Sequence, residues 1–376
     1  MSARRLLHVV KATGVAGAET HLLILLEGLR AAGLDAELLI LAEPEKPVEG
    51  FFTRAAARGI PAHCLAIRRR LDRGLFHNLQ QFFREGGYSV VHTHLIHADV
   101  HGIPAARRAA VPHVVSTRHA DNPFRRRLPL RLAHRWLWRR VDRASPSRRR
   151  CAASASKWRA RRRTRWRPYT TASIPTRCRS ARARAICWPP RWASRPARCW
   201  WGASAASSRS RASRTRCAPS GRLRRPSRRR TTPSRGGPLR RELETAARGF
   251  GLEGRVHFLG WRDDPHPVIA GLDVLLAPSL QEGFGLVLLE AMALRVPVIA
   301  SRVSAMPEIV VDGETGLLTE PGDADGIASA LSTLLANPDV AREMGANGRA
   351  RLEAQFTAQR MVERTCAVYE SLDAGR

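Results

Sequence analysis

Two carboxylates, Glu282 and Glu290, lie in the segment PSLQEGFGLVLLEAMA (278–293) with Gly283 and Gly285 on either side of Phe284. Glycines here let backbone N–H groups approach a ligand, and the start of the helix that follows favours an anion. Carboxylates accept hydrogen bonds from hydroxyls. The combination suits a phosphorylated sugar, with amides and helix dipole for the phosphates and the two glutamates for hydroxyls. The plainer reading is a capped helix start with one solvated and one packed glutamate. A second group is His92, His94, His97 and His101. The first pair shares a strand face and the second a helix face, so metal ligation is geometrically open. Cleft lining and packing are the expected roles, and no metal is expected.

The elements that must position these residues alternate. LLHVV (6–10) is a continuous apolar run of the kind buried in a parallel sheet. Gly14 to Gly17 form a loop, and a helix from about Glu19 carries Leu22, Leu25, Leu26 and Leu29 on one stripe. Further strands are predicted at 36–41, 60–65, 88–92 and 113–117, with helices near 51–58, 74–85 and 98–110. In the second half, helix 238–249 precedes strand 255–259, helix 264–271 and strand 272–277. Glu282 then sits in the loop 278–285 and Glu290 in helix 286–294, before strand 296–300. Helices near 323–335, 337–355 and 359–373 close the chain. Repeated βα units imply doubly wound parallel sheets, which bind ligands at the carboxyl ends of their strands.

The composition is uneven. The chain has 376 residues and a net charge of +32. Residues 144–236 hold 27 Arg, one Lys and no Asp or Glu, whereas the other 283 residues hold 36 basic and 32 acidic side chains. The same window has five of seven Cys and six of nine Trp, but no Val, Phe or Met and a single Leu, Leu223. No CxxC pair occurs, so zinc fingers and disulfide scaffolds are poorly supported. No apolar run approaches the ~20 residues that span a bilayer, and residues 1–10 lack a signal-peptide core. A cytoplasmic chain is expected; Arg125–Arg127 and Arg139–Arg140 read first as solvated faces, with a peripheral contact to acidic lipids at the inner membrane face as the alternative.

The paired-glutamate segment, with GRVHFLGWRDD (254–264), ASRVSAMPEIVVDGETGLL (300–318) and PGD (321–323), closely resembles retaining glycosyltransferases of family 4. VAGAETHL (15–22) resembles the family's GGxE loop, with Ala16 in place of the first glycine. VVHTHLIHAD (90–99) and VVSTRH (114–119) resemble its cleft-lining strand ends. The resemblance implies a GT-B fold: two Rossmann-like α/β domains facing a cleft, the second one incomplete because of the Arg-rich middle. The expected boundaries are 1–143, 144–236, 237–358 and a last helix, 359–376, packing back on the first domain. The resemblance also implies roles. Gly17 would lie against the donor diphosphate and His119 near the reacting centre. Glu282 would contact the sugar with amides of Phe284, Gly285 and Leu286, and Glu290 would hold the ribose. It implies catalytic roles for His119 and Glu282, no cofactor and no metal.

The window 144–236 has three readings: a basic nucleic-acid-binding insert, a disordered linker, or an out-of-frame translation. Taking the third base of each codon with the first two of the next, 144–151, 168–176 and 200–208 all permit family-like segments at one offset. The window is therefore read as out of frame and expected to be disordered, since it lacks the branched aliphatics that strands bury. The family's basic pair for the donor diphosphate belongs there and finds no counterpart. The expected function is transfer of a sugar from a nucleotide-sugar donor to a glycan, lipid or small-molecule hydroxyl, with retention. The rival readings are an inactive frame-disrupted enzyme and an Arg-rich nucleic-acid-binding protein, with nucleic acid not the expected partner.

Overall fold

The computed structural model describes residues 4–12, 17–45, 48–68, 72–118, 135–146, 240–260, 262 and 264–373. The chain divides into two compact units, 1–181 with 354–376, and 182–353. His119, Arg125–Arg127 and the window beyond Pro146 to 239 lie outside the described residues.

In the first unit, β1 (Arg5–Ala12), β2 (Asp35–Ala42), β3 (Ala62–Ala66), β4 (Val90–His94), β5 (His113–Arg118) and β6 (Arg143–Pro146) form a parallel sheet in the order β3-β2-β1-β4-β5-β6. The intervening helices are α1 (Gly17–Ala31), α2 (Glu49–Ala56), α3 (Arg73–Gly86) and α4 (Leu95–Arg108). The central strands are apolar on both faces because helices cover both. On one face Val10, Ile40 and Val115 pack with Leu22, Leu26 and Phe51; on the other Leu7, Leu39 and Val91 pack with Leu79, Phe83 and Ile103. The strand order reverses between β1 and β4, and such a switch point opens a crevice beyond the strands' carboxyl ends.

In the second unit, α5 (Arg240–Gly249) and α6 (His266–Ala270) precede β7 (Leu275–Ala277), α7 (Leu286–Ala293), β8 (Val298–Ser301), α8 (Met306–Ile309), β9 (Leu317–Thr319), α9 (Ala324–Ala336) and α10 (Pro338–Gln355). The strands are parallel in the order β7-β8-β9. The last helix, α11 (Ala358–Asp373), belongs to the first unit, where Met361, Tyr369 and Leu372 join the core beside α1.

Three sequence expectations are corrected. Residues 255–259 are not a strand: β7 has β8 as its only neighbour among the described residues, and the amides of Arg255 and Val256 donate to Leu252 O instead. Without a partner ladder an extended run has nothing to hold it. The sheet also reaches past residue 143, because Ala144, Ser145 and Pro146 pair with Ser116, Thr117 and Arg118. β6 is an edge among the described strands, where backbone pairing suffices and a proline is tolerated. Finally, β7 is only three residues long, with 272–274 left outside it.

Candidate functional site

The second unit's site is built at the carboxyl ends of β7 and β8. β7 ends at Ala277, and residues 278–285 carry the chain over the strand end into α7. Gly285 is the N-cap of α7 with φ 90°, a left-handed conformation that favours glycine. The turn delivers the amides of Phe284, Gly285 and Leu286 at the helix start. Glu282 is half-buried there. Its Oε1 accepts from the Gly283 amide at 2.9 Å and its Oε2 from Ser279 Oγ at 3.4 Å. Its own amide donates to Ser304 Oγ at 3.4 Å. Thus the β7 loop is tied to the β8 loop.

Glu290 lies one turn into α7. Burial holds its carboxyl above the ordinary value, with His266 opposing the shift. His266 Nδ1 is in turn 2.9 Å from Asp264 Oδ1. A carboxyl in this setting is well placed to accept hydroxyl hydrogen bonds once the site is desolvated by a ligand. The structure therefore brings Glu282, Phe284, Gly285, Leu286 and Glu290 together on one loop and helix. In the first unit Gly17 opens α1 and is exposed. His119 follows the last residue of β5 and is outside the described residues.

Sequence reasoning missed several residues here. Ser304 has φ 58° in the turn after β8, which points its hydroxyl region at the Glu282 amide. Ser301 and Thr319, paired across β8 and β9 at their carboxyl ends, bury hydroxyls that find no hydrogen-bond partner among the described residues. A serine or threonine closing an apolar strand was the available signal. Arg302 braces the same end through Asp312 at 2.6 Å and Glu320 at 3.3 Å.

The histidines rearrange the expectation. His92 and His94 share the β4 face with His8 of β1, which pairs with His92 in register. His101 faces elsewhere: Nδ1 contacts His97 O at 3.0 Å, and Nε2 lies 3.4 Å from the Asp72 amide. So His97 and His101 do not converge with His92 and His94. His8, hidden in the middle of an apolar strand, takes their place. The three nitrogens His8, His92 and His94 are the one metal-capable grouping among the described residues.

Comparison with known proteins agrees with this architecture. Residues 15–168 match the Glycosyltransferase Family 4 domain and 234–337 match Glycosyl transferases group 1, together more than half of the chain. N-acetyl-alpha-D-glucosaminyl L-malate synthase of Bacillus anthracis is 41% identical over 118 residues, 31% of each chain. The chain spans about a third of the length of the curated relatives it matches. Among solved structures, HepE of Anabaena in complex with UDP and glucose has a TM-score of 0.75 at 18% identity, covering 98% of this chain and 100% of that one. Sucrose-phosphate synthase of Thermosynechococcus elongatus has a TM-score of 0.71 at 23% identity, covering 99% and 100%. These two likenesses show the fold, which is GT-B.

Proposed function

The chain belongs to the glycosyltransferases of group 1 and family 4, and from that premise we propose that it transfers a sugar from a nucleotide-sugar donor to an acceptor hydroxyl, with retention at the anomeric carbon. The observation that carries this reading is the β7–α7 turn, where Glu282, three backbone amides and the half-buried Glu290 share one strand end. HepE, similar in fold, is described in complex with UDP and with UDP-glucose.

In the proposed site Glu290 accepts from the ribose and Glu282 from the transferred sugar. The amides of Phe284, Gly285 and Leu286 and the start of α7 favour the negative charge of the donor. Gly17, at the start of α1, would lie against the diphosphate, and His119 would contact the sugar near the reacting carbon. The barrier is lowered by electrostatic stabilisation of the departing diphosphate and of an oxocarbenium-like centre, with preorganised dipoles and no metal. The acceptor is a glycan, a lipid or a small molecule. No helix among the described residues is long and apolar enough to cross a membrane, and a peripheral membrane contact belongs to this proposal.

The test is donor cleavage and transfer with a panel of nucleotide sugars, by this chain and by a version with 144–236 restored to the alternative frame. Proton NMR of the product reads the anomeric configuration, and an inverted product rejects retention. Activity in the restored version alone assigns the chain as written to the second reading, an inactive frame-disrupted enzyme. The acid-free, Arg-rich composition of 144–236 is the observation that favours that reading.

A further inference from the structure

Glu290 shares its surroundings with an imidazole from another element. His266 is the first residue of α6, and α6 packs against α7, which carries Glu290. The ring is near enough for its charge to act on the Glu290 carboxyl, yet no hydrogen bond or ion pair joins the two side chains among the described residues. A gap therefore separates them, with a nitrogen-bearing ring on one wall and a carboxyl on the other.

The ring is held by its own segment. Pro265 and Pro267 have no N–H, so His266 supplies the amide of that triplet. This amide donates to Asp264 Oδ1 at 3.1 Å, and the same oxygen lies 2.9 Å from Nδ1 of the ring. An ionised carboxylate only accepts, so Nδ1 is the donor of that bond and keeps its proton. Nε2 is then the open position of the ring. It has no hydrogen-bond partner among the described residues, and with the side chain 38% exposed a ligand can reach it. A hydroxyl both donates and accepts, so Nε2 bonds it as acceptor in the neutral ring and as donor in the protonated one. The contact does not depend on titration.

The Glu290 carboxyl, mostly enclosed by α7 and its neighbours, likewise makes no hydrogen bond among the described residues. The chemistry of the gap selects what can enter it. A phosphate would meet the negative charge of Glu290 at close range, which is unfavourable in an enclosed site. A hydroxyl meets an acceptor on each wall. Two neighbouring atoms that each bond one hydroxyl fit a vicinal diol, which a ribose offers in its 2′ and 3′ hydroxyls.

We propose that His266 is a second ribose-binding residue of the donor site: Nε2 bonds one of the two vicinal hydroxyls while the other donates to Glu290. This rests on the reading that the chain binds a nucleotide sugar with Glu290 at the ribose. It adds a residue that makes the site discriminate between ribose and deoxyribose, because a missing hydroxyl leaves one wall of the gap without its bond.

Calorimetric titration of the full chain with the diphosphates of uridine, guanosine and adenosine selects the tightest, which is then compared with its 2′-deoxy and 3′-deoxy analogues. Each analogue should bind the wild type about 3–10-fold more weakly than the ribose form. Two variants divide the ring. His266→Asn keeps a donor to Asp264 and loses the atom at Nε2, whereas His266→Gln places an amide near Nε2 and loses the bond to Asp264. The Asn variant should bind the ribose form about 3–10-fold more weakly and show no further penalty for one of the two analogues, the penalty for the other remaining. The Gln variant should keep part of both penalties. The opposite order, with Asn like the wild type and Gln impaired, would mean that His266 serves only the start of α6, and it overturns the proposal. Equal affinity of the wild type for all three sugar forms also overturns it, whatever the variants do. A loss seen with the nucleotide sugar but not with its diphosphate would move His266 to the transferred sugar and reject the ribose contact. If no diphosphate binds the wild type, the nucleotide-sugar reading itself fails and takes this inference with it; if the wild type binds and Glu290→Ala weakens binding while His266→Asn does not, the inference alone fails.

Discussion

At the scale of single residues, the proposed site gives the two glutamates of the β7–α7 turn different tasks, Glu290 in nucleotide binding and Glu282 in the chemical step. Burial raises the pKa of Glu290, so the group takes up a proton at a higher pH than an exposed carboxyl does. In the proposed site the ionised form is the stronger acceptor for the ribose hydroxyls. Nucleoside-diphosphate affinity should therefore weaken on acidification before ordinary carboxylates titrate, and Glu290→Ala should bind about 10–100-fold more weakly with that pH dependence gone. Calorimetric titrations of both proteins across the acid range check this, and equal affinities reject the ribose role. Glu282 touches the sugar in the proposed site. Glu282→Ala should lower kcat by about 10–100-fold with a smaller change in KM, since its contact tightens as charge develops. A change confined to KM would assign it to uniform binding instead.

At the scale of elements, short strands depend on close approaches that one residue type permits. A Cβ on Gly316 would sit 2.5 Å from Val298 O and 2.6 Å from Val298 Cγ2, at the point where the chain enters β9 beside β8. Gly316→Ala should cost about 1–3 kcal/mol, read as a lower urea midpoint, because the neighbouring strand must shift to admit the methyl group. The pairing of Ala300 with Leu318 makes the sheet end at Ser301 and Thr319, so the same shift reaches the site. The paired-glutamate turn and the helices around it were legible in the sequence, since glycines, helix periodicity and apolar runs are local signals. The strand expected at 255–259 was not a strand, and β6 was not expected. Both depend on whether a partner edge exists.

At the scale of the molecule, the first described segment of the second unit, 240–260, has little burial. α5 buries no residue, and Leu243, Phe250 and Leu259 are 40%, 43% and 44% exposed. Exposed large apolar side chains promote association. Leu243→Ser with Phe250→Ser should change stability by no more than about 0.5 kcal/mol, because neither side chain is buried. Light scattering of concentrated protein should fall in the double variant. A large loss of stability would mean that these residues are packed in solution.

By itself the sequence determined the βα alternation and the Glu282–Glu290 segment. Both rest on residue types spaced within one element or one turn. Tertiary structure alone decided which strands pair, that β1 and β4 adjoin, and that Ser304 meets the Glu282 amide. It also decided that His8 joins His92 and His94 beneath Tyr369, a contact between residues 361 positions apart. In the sequence His8 is one polar residue in an apolar strand, and Tyr369 is an ordinary helical tyrosine. Their hydrogen bond exists because register places His8 opposite His92 and because α11 returns to that face. Spacing along a chain reports on neighbours within a few residues; contacts between distant elements follow from how the elements pack to bury apolar surface.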